Sequence, residues 1–354
     1  MTDVTHGKLV FKDRNNNAGT IIGLSENDIN KMNAKATLGV VSSASSSISN
    51  KHGELYPATS RLTAPVSHTD LPASAKVIWT GYNNYADDES SDQVRIQHNN
   101  TFRGSNLLGN GHFASLDALS SALTAGDFSD IYIGDYIDAP FSYGGTSYTA
   151  RCRVAGIDYY MNYGYGDGTD MITRHHLAMV PDSTITARMN STDTTVGGYV
   201  GSEMYTTTLP ALMNALGGAS GTPFYGHLLS FRELLSNAIA TTAGTHPAMH
   251  PGESGWASSC AWYTVSGVLM SEQQIHGSTL SASSVFAQGN VRQLPLFNLV
   301  PEYVFSTPTN GRQYHWLRSV AYDLTFSAIG SWGDGGGGGG SSNVYSVRPL
   351  FVIV

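Results

Sequence analysis

The C-terminal stretch of the chain places a long polar run between two apolar segments. Residues 316–319 read Trp-Leu-Arg-Ser, and residues 347–354 read Val-Arg-Pro-Leu-Phe-Val-Ile-Val. The run between them is rich in Ser, Gly, Asn, Asp, Tyr and Trp and contains six consecutive glycines, Gly335–Gly340. Apolar segments of this kind are typical of buried strands, whereas a Gly-rich polar run cannot form a core. The sequence therefore predicts two core strands that hold a displayed loop.

The composition of this loop is typical of a recognition surface. Small adaptable residues surround a few aromatic ones, and Tyr and Trp give contact area at low entropy cost. Trp316 is predicted to pack in the core, and Arg318 and Arg348 to pair with buried carbonyls or carboxylates that fix the loop ends. A solvated loop without function is the alternative. The predicted ligand-binding residues are Tyr322, Asp323, Thr325, Ser327, Ser331, Trp332, Asp334, Ser341, Asn343 and Tyr345.

Composition and charge exclude several classes of protein. Only 13% of the 354 residues are charged, about half the usual share, while 41% are hydrophobic, so a real core is expected. The net charge of −8 argues against nucleic acid as a partner. The sequence shows neither a Sec-type signal peptide nor an apolar run of membrane-spanning length, so we expect synthesis in the cytoplasm without membrane insertion.

The chain is predicted to have three parts and an α+β main domain. Residues 1–41 read as strand, turn, strand and a short helix, a small module suited to attachment or oligomerisation. Residues 42–101 form a Ser/Thr/Pro-rich linker or arm with short strands, among them 94–97. Residues 102–354 form the main domain. Its predicted helices span 116–123, 209–216, 228–239 and 265–274, and its predicted strands span 128–136, 150–157 and 176–180.

Nine short motifs are spread over residues 102–354: Gly134–Tyr136, Ala155–Tyr160, His175–Asp182, Gly197–Met204, Leu234–Ala238, Leu269–Glu272, Gln293–Phe297, Tyr314–Arg318 and Val347–Pro349. In this order they resemble a family of C-type-lectin-like domains in phage and prophage tail proteins. The N-terminal residues Lys8–Asp13 and Leu24–Ile29 resemble the start of phage tail-fibre proteins, over a shorter stretch.

The resemblance implies a host-surface binding protein on a phage virion, in the tail or on the particle surface. Several members of the family are targets of diversity-generating retroelements, which randomise the segment that corresponds here to residues 319–345. The expected ligand is a bacterial cell-surface glycan or protein, and residues 1–41 are expected to bind other virion proteins. Because one loop surface binds weakly, avidity favours a homo-oligomer, with a trimer expected.

Two other functions remain as alternatives. The same lectin-like head could decorate a capsid as a head-fibre protein. Formylglycine-generating oxidases share the C-type-lectin-like fold and use a cysteine pair, which directs attention to Cys152 and Cys260. Strand alternation predicts that Arg151 and Arg153 point away from Cys152, so a buried, unreactive thiol is favoured. We expect two separate reduced cysteines, with a single bridge as the alternative.

No cofactor or metal is predicted. His175 and His176 would point to opposite faces of a strand, and the prolines beside His246 and His250 prevent a helical pair of ligands. An oxygen-ligand calcium site at residues 167–170 lacks the full loop and its closing Glu. The glycine run lacks the Lys and Ser/Thr of a phosphate-binding loop and is interpreted as a mobile surface loop.

Overall fold

The computed structural model describes three strands of the first 22 residues by their backbone, and most of the chain from residue 91 onward. The described residues of this larger part are 91–109, 112–164, 171–240, 257–280, 292–322, 324–333, 335–337 and 340–354. The predicted helix within 26–38, the linker at 42–74, the calcium candidate at 167–170 and both His246 and His250 lie outside the described residues.

The chain divides into two compact units, Met1–Val94 and Arg95–Val354. In the first unit, β1 (Asp3–Thr5), β2 (Lys8–Lys12) and β3 (Ala18–Ile22) form an antiparallel sheet in that order. The predicted strand, turn and strand are confirmed as β2 and β3, and β1 was not predicted. The predicted three-part division of the chain stays a prediction.

The second unit is mixed helix and sheet, with more strand than helix. Its helices are short, and two of its helical turns are of the wider π type. The α-helices are Ser91–His98, which begins in the first unit, Leu116–Thr124, Leu209–Met213, Glu272–His276 and Pro295–Leu299. The π-helices are Met204–Thr208 and Asn214–Gly218, and a 3₁₀-helix spans Pro301–Val304. The strands are β4 (Tyr136–Tyr143), β5 (Thr146–Ile157), β6 (Leu177–Pro181), β7 (Thr186–Ala187), β8 (Leu228–Leu229), β9 (Phe231–Ile239), β10 (Ala257–Val265), β11 (Gly267–Leu269), β12 (Ser306–Thr307), β13 (Gly311–Arg312), β14 (His315–Tyr322), β15 (Thr325–Ile329), β16 (Gly335–Gly337), β17 (Tyr345–Ser346) and β18 (Pro349–Ile353).

A six-stranded antiparallel sheet organises the core. Its order is β11-β18-β6-β5-β4, and β8 also pairs with β18. The strands β6 and β18 are buried at every residue, as expected for strands covered on both faces. The predicted strands 150–157 and 176–180 are confirmed as β5 and β6.

A second sheet carries the C-terminal stretch in the order β16-β15-β14-β17-β7. The strand β14 pairs antiparallel with β15, from His315 opposite Ile329 to Tyr322 opposite Thr325. It pairs in parallel with β17, through His315 and Ser346. Residues 315–346 are therefore mostly sheet. The prediction of one continuous loop between two core strands is wrong.

Two predicted helices are confirmed. Leu116–Thr124 begins after Ser115, whose side chain accepts a hydrogen bond from the Ala118 N–H, and buries Leu119 and Leu123. The predicted helix 209–216 lies within the run of α and π turns from 204 to 218.

Four other assignments are wrong. Residues 94–97 lie in a helix rather than a strand, and 128–135 form turns before β4 begins at Tyr136. Residues 228–239 form β8 and β9 instead of a helix, because β9 pairs with β10 along its length. The predicted helix 265–274 is replaced by the end of β10, by β11 and by the start of helix Glu272–His276.

Candidate functional site

Much of the first half of the predicted variable region is buried. All five residues of β15 are buried, whereas Leu324 before it is exposed. The Ser327 hydroxyl donates to Glu272 Oε1 at 2.6 Å, and the Thr325 hydroxyl is buried without a hydrogen-bond partner among the described residues. The prediction that Thr325 and Ser327 contact a ligand is therefore wrong.

Ser341 is also buried, although it follows the glycine run. Its hydroxyl accepts a hydrogen bond from the Thr194 N–H at 2.8 Å and donates to the Thr194 carbonyl at 2.9 Å. A short polar side chain can be buried at low cost when its hydrogen bonds are made by the protein. Ser341 fastens the outer segment to residues 192–194, and its prediction as a ligand contact is wrong.

The glycine run is in part a strand. Gly335–Gly337 form the edge strand β16, so the prediction of a mobile loop is wrong for these three residues. A Cβ atom at Gly335 would lie 2.0 Å from a methyl group of Leu280. Glycine thus lets the strand approach the segment after helix Glu272–His276. Gly338 and Gly339 lie outside the described residues.

Trp316 and Arg348, at the two ends of the polar run, make the buried contacts that the sequence predicted for them. Trp316 is fully buried, and its indole N–H donates to the Ala187 carbonyl at 2.9 Å. Arg348 is buried and donates to the carbonyls of Pro181, Tyr303 and Val304. Burial lowers the pKa of Arg348 to about 10, so the side chain stays charged at neutral pH.

Arg318 belongs to a buried polar network beneath this sheet. Its guanidinium donates to Glu233 Oε2 at 2.9 Å and to Gln274 Oε1 at 2.8 Å. The other oxygen of Glu233 accepts hydrogen bonds from the Tyr160 hydroxyl and from the Gln274 amide. Burial, followed by the charge of Glu233, raises the pKa of Tyr160 well above its usual value and keeps this hydroxyl protonated as a donor. The network ties β14 to β9, β11 and the helix at Glu272–His276.

The outer segment carries exposed aromatic side chains. Trp332 is 76% exposed, and the guanidinium carbon of Arg312 lies 4.7 Å from its ring centroid. The same carbon lies 5.4 Å from the ring centroid of Phe305. Gly333 has φ of +84°, and a Cβ there would lie 2.6 Å from the Phe305 ring, so this turn favours glycine.

A second group of rings connects this surface to the core. Tyr345 is half-buried and stacks on the 46%-exposed Tyr314, with centroids 5.2 Å apart and planes at 23°. On its other side it contacts buried Trp316 at 4.6 Å. Because Tyr314 and Arg312 are two residues apart in one segment, their Cα atoms lie within about 7 Å of each other. We call the set Phe305, Arg312, Tyr314, Trp332 and Tyr345 the aromatic face.

The structure thus places only some of the predicted ligand-binding residues at the surface. Trp332 and Asn343 are exposed, and Ser331 and Tyr345 are half-buried. Asp323, Asp334 and the side chain of Tyr322 lie outside the described residues. Sequence reasoning missed Phe305, Arg312 and Tyr314, which precede the stretch considered variable. The available sequence signal was the spacing of Arg312, Tyr314 and Trp316, which occupy every second position of one segment.

The histidines and cysteines considered for chemistry have structural contacts. His175 Nδ1 lies 2.7 Å from an oxygen of Asp158, and His176 Nε2 accepts from the Tyr160 N–H at 3.0 Å. Burial raises the pKa of the Cys152 thiol far above its usual value, which disfavours the thiolate. Both Cys152 and Cys260 are free thiols. No group of three or more His, Cys, Asp or Glu suited to a metal ion occurs among the described residues.

Comparisons of the chain with models of known protein families, with curated proteins and with solved structures found no match. Among the residues that the structure describes, no helix combines the length and the apolar character needed to cross a membrane.

Proposed function

We propose that the protein is a receptor-binding protein of a phage virion and that its aromatic face contacts the bacterial host. The observation that carries the proposal is Trp332, which is 76% exposed and contacts the guanidinium of Arg312. Clustered aromatic side chains beside an arginine dominate the binding energy of many interfaces. Exposed apolar side chains that are grouped, instead of scattered, mark interaction sites.

The rigid support beneath the face favours the same proposal. Arg318, Arg348 and Trp316 make buried hydrogen bonds that involve none of the exposed side chains. Exposed residues of the outer segment, such as Trp332 and Asn343, can therefore change without loss of the fold, which is what a variable host-recognition surface requires. We further propose that residues 95–354 form a C-type-lectin-like domain, which the sequence resemblance and the mixed, mostly β architecture support.

The main experiment measures binding of the fluorescently labelled full chain to bacterial cells across a panel of isolates. The double variant Trp332→Ala, Tyr314→Ala is expected to lose binding by about tenfold or more, since each such aromatic contributes of order 1 kcal/mol or more at a binding surface. Its thermal unfolding midpoint is expected to stay unchanged. The matched control is Tyr225→Ala, because Tyr225 is also exposed (53%) but belongs to a turn before β8.

Loss of cell binding in the Tyr225 variant, or full binding by the double variant, would show that the aromatic face is not the host contact. Light scattering on the purified chain tests the proposed trimer, and a monomer contradicts it. Immunogold labelling of virions distinguishes a tail position from decoration of the capsid.

A further inference from the structure

We infer that the aromatic face binds an acidic saccharide, whose anionic group pairs with Arg312 while a sugar ring stacks on Trp332. This inference rests on the proposed function and adds the chemical class of the ligand. Carboxylate and phosphate groups share the required chemistry, because both accept two parallel hydrogen bonds from a guanidinium.

The first argument concerns the charge of Arg312. The described ion pairs join Arg103, Arg151, Arg153 and Arg318 to carboxylates. No described carboxylate lies within 4.0 Å of Arg312, which is exposed. The contacts of its guanidinium with Phe305 and Trp332 are to ring faces. Such contacts use none of the five N–H donors, so these donors stay available for oxygen atoms of a ligand.

The second argument concerns the position of this charge. The two rings hold the guanidinium of Arg312 beside Trp332, which is the most exposed Trp of the described residues. In the sequence, Arg312 is two positions before exposed Tyr314. A long Arg side chain that is already fixed loses less entropy when it binds. The arrangement is a planar cation beside a free aromatic surface, which matches a ring that carries an anionic substituent.

The third argument concerns the aromatic surfaces themselves. Aromatic faces carry partial negative charge and attract the C–H groups of a sugar ring. The Asn343 amide donates to the Tyr345 hydroxyl at 3.4 Å, so this face also carries polar groups that can hydrogen-bond sugar hydroxyls. The exposed carboxylate of Asp193 accepts a hydrogen bond from the Ser342 N–H at 2.8 Å through Oδ1.

The chain as a whole has a net charge of −8, which repels anions at long range. An acidic ligand therefore needs a local positive group, and Arg312 supplies one within the aromatic face. A neutral saccharide would gain less than an acidic one from a guanidinium that no described carboxylate neutralises, because the charge-assisted pair is the stronger contact.

The test uses the full chain and an array of purified bacterial polysaccharides that includes uronic-acid polymers, teichoic acids and neutral glucans. Repeating ligands compensate for weak binding by a single site. We expect binding to one or more acidic polymers, and carbodiimide-mediated methyl esterification of a bound uronic-acid polymer is expected to weaken it about tenfold or more, because hydrogen bonds to charged groups contribute at least that factor. Binding to uronic acids but not teichoic acids, or the reverse, identifies the source of the anion.

The variants Arg312→Gln and Arg312→Lys separate charge from shape. The first is expected to bind the acidic polymer about as weakly as the parent binds its ester, and the second to retain part of the affinity, since lysine keeps the charge without the planar fork. Trp332→Phe serves as the control that keeps an aromatic face beside Arg312.

Three results overturn the inference: no acidic polymer bound, equal binding of polymer and ester, or unchanged binding by Arg312→Gln. These results are distinct from a failure of the proposed function. If Arg312→Gln binds bacterial cells like the parent while the Trp332 and Tyr314 double variant does not, the aromatic face is the host contact and the ligand is not acidic. If the double variant binds cells normally, the proposed host contact itself is wrong.

Discussion

The polar side chains of the C-terminal stretch differ in burial between its two halves. The inner half, residues 315–330, contains Ser319, Thr325 and Ser327, all of which are buried within β14 and β15. The outer half, residues 331–345, contains the exposed Trp332 and Asn343 on turns around the edge strand β16, with Ser341 as a buried exception. The difference shows that the position of a residue in the packed sheet, instead of its polarity, decides whether its side chain meets solvent. A serine such as Ser327 can be buried because its hydroxyl donates a hydrogen bond to a partner such as Glu272.

The sharpest test of this contrast compares how the free energy of unfolding changes when a buried charge is removed and when an exposed charge is removed. Arg318→Met leaves Glu233 buried without its cationic partner and is expected to lower the free energy of unfolding by about 3–5 kcal/mol. Arg312→Met, at the aromatic face, is expected to change it by less than about 0.5 kcal/mol. Urea unfolding measured by intrinsic fluorescence gives both values. Equal stabilities of the two variants would contradict the division into a buried and an exposed half.

Two serines test the same contrast on a smaller scale. Ser327→Ala removes the hydroxyl that donates to Glu272 Oε1, and we expect a loss of about 1–3 kcal/mol because that carboxylate is buried. Ser331→Ala is the matched change in the outer half and is expected to stay within about 0.5 kcal/mol of the parent. Thermal and urea unfolding should rank the two variants in this order. The reverse order would place Ser331, not Ser327, in the supporting structure.

The inner half should also make stability depend on pH. Burial, and secondarily the charge of Arg348, lowers the pKa of His315 well below its usual value, so the folded chain holds this ring neutral. The unfolded chain binds a proton at about pH 6.5. Stability should therefore fall as pH drops below about 6.5, by up to roughly 1.4 kcal/mol per pH unit for this group.

Other buried histidines contribute in the same direction, because burial also lowers the pKa of His98, His176 and His276. Urea unfolding from pH 7.5 to 5.0 measures the total slope, and His315→Gln should reduce it. An unchanged slope in that variant would show that His315 does not remain neutral in the folded chain. Because the aromatic face contains no histidine, substitutions there should leave the slope as it is.

The smallest effect on stability is expected from the outer half itself. Asn343→Ala and Trp332→Ala should each shift the free energy of unfolding by less than about 0.5 kcal/mol, since both side chains are exposed. Thermal unfolding of single and combined variants checks this. A loss above about 2 kcal/mol would mean that the outer half supports the fold and cannot vary freely.

Local sequence patterns predicted some elements and failed for others. Strand β6 was found because residues 177–180 form a continuous apolar run, and β5 because Arg151 and Arg153 alternate with apolar residues. The leucines at 228, 229, 234 and 235 suggested a helix, yet β9 buries Phe231, Glu233 and Leu235 in strand alternation. Glu233 is buried because Arg318 pairs with it from 85 positions away, and no local pattern contains that partner.

The candidate site was predicted only in part, because local sequence patterns do not contain partners from distant segments. Trp332 and Asn343 were correctly placed at the surface, since no apolar pattern surrounds them. Thr325 and Ser327 were misplaced because their polarity was taken as exposure, whereas β14 and β16 pair with β15 on both sides. Arg312 and Phe305 escaped notice because Arg312 contacts the rings of Phe305 and Trp332, which belong to separate segments of the chain.

Strand β18 has a consequence for how the second unit is made. Residues 349–353 pair with β6 on one side and with β11 and β8 on the other. Three strands synthesised earlier thus share one partner, which leaves the ribosome after all of them. The nascent chain keeps the apolar surfaces of these strands without that partner until β18 has emerged from the ribosome, and such surfaces are prone to aggregate. A stop codon shortly before Pro349 would remove β18, the strand with which β6, β8 and β11 all pair.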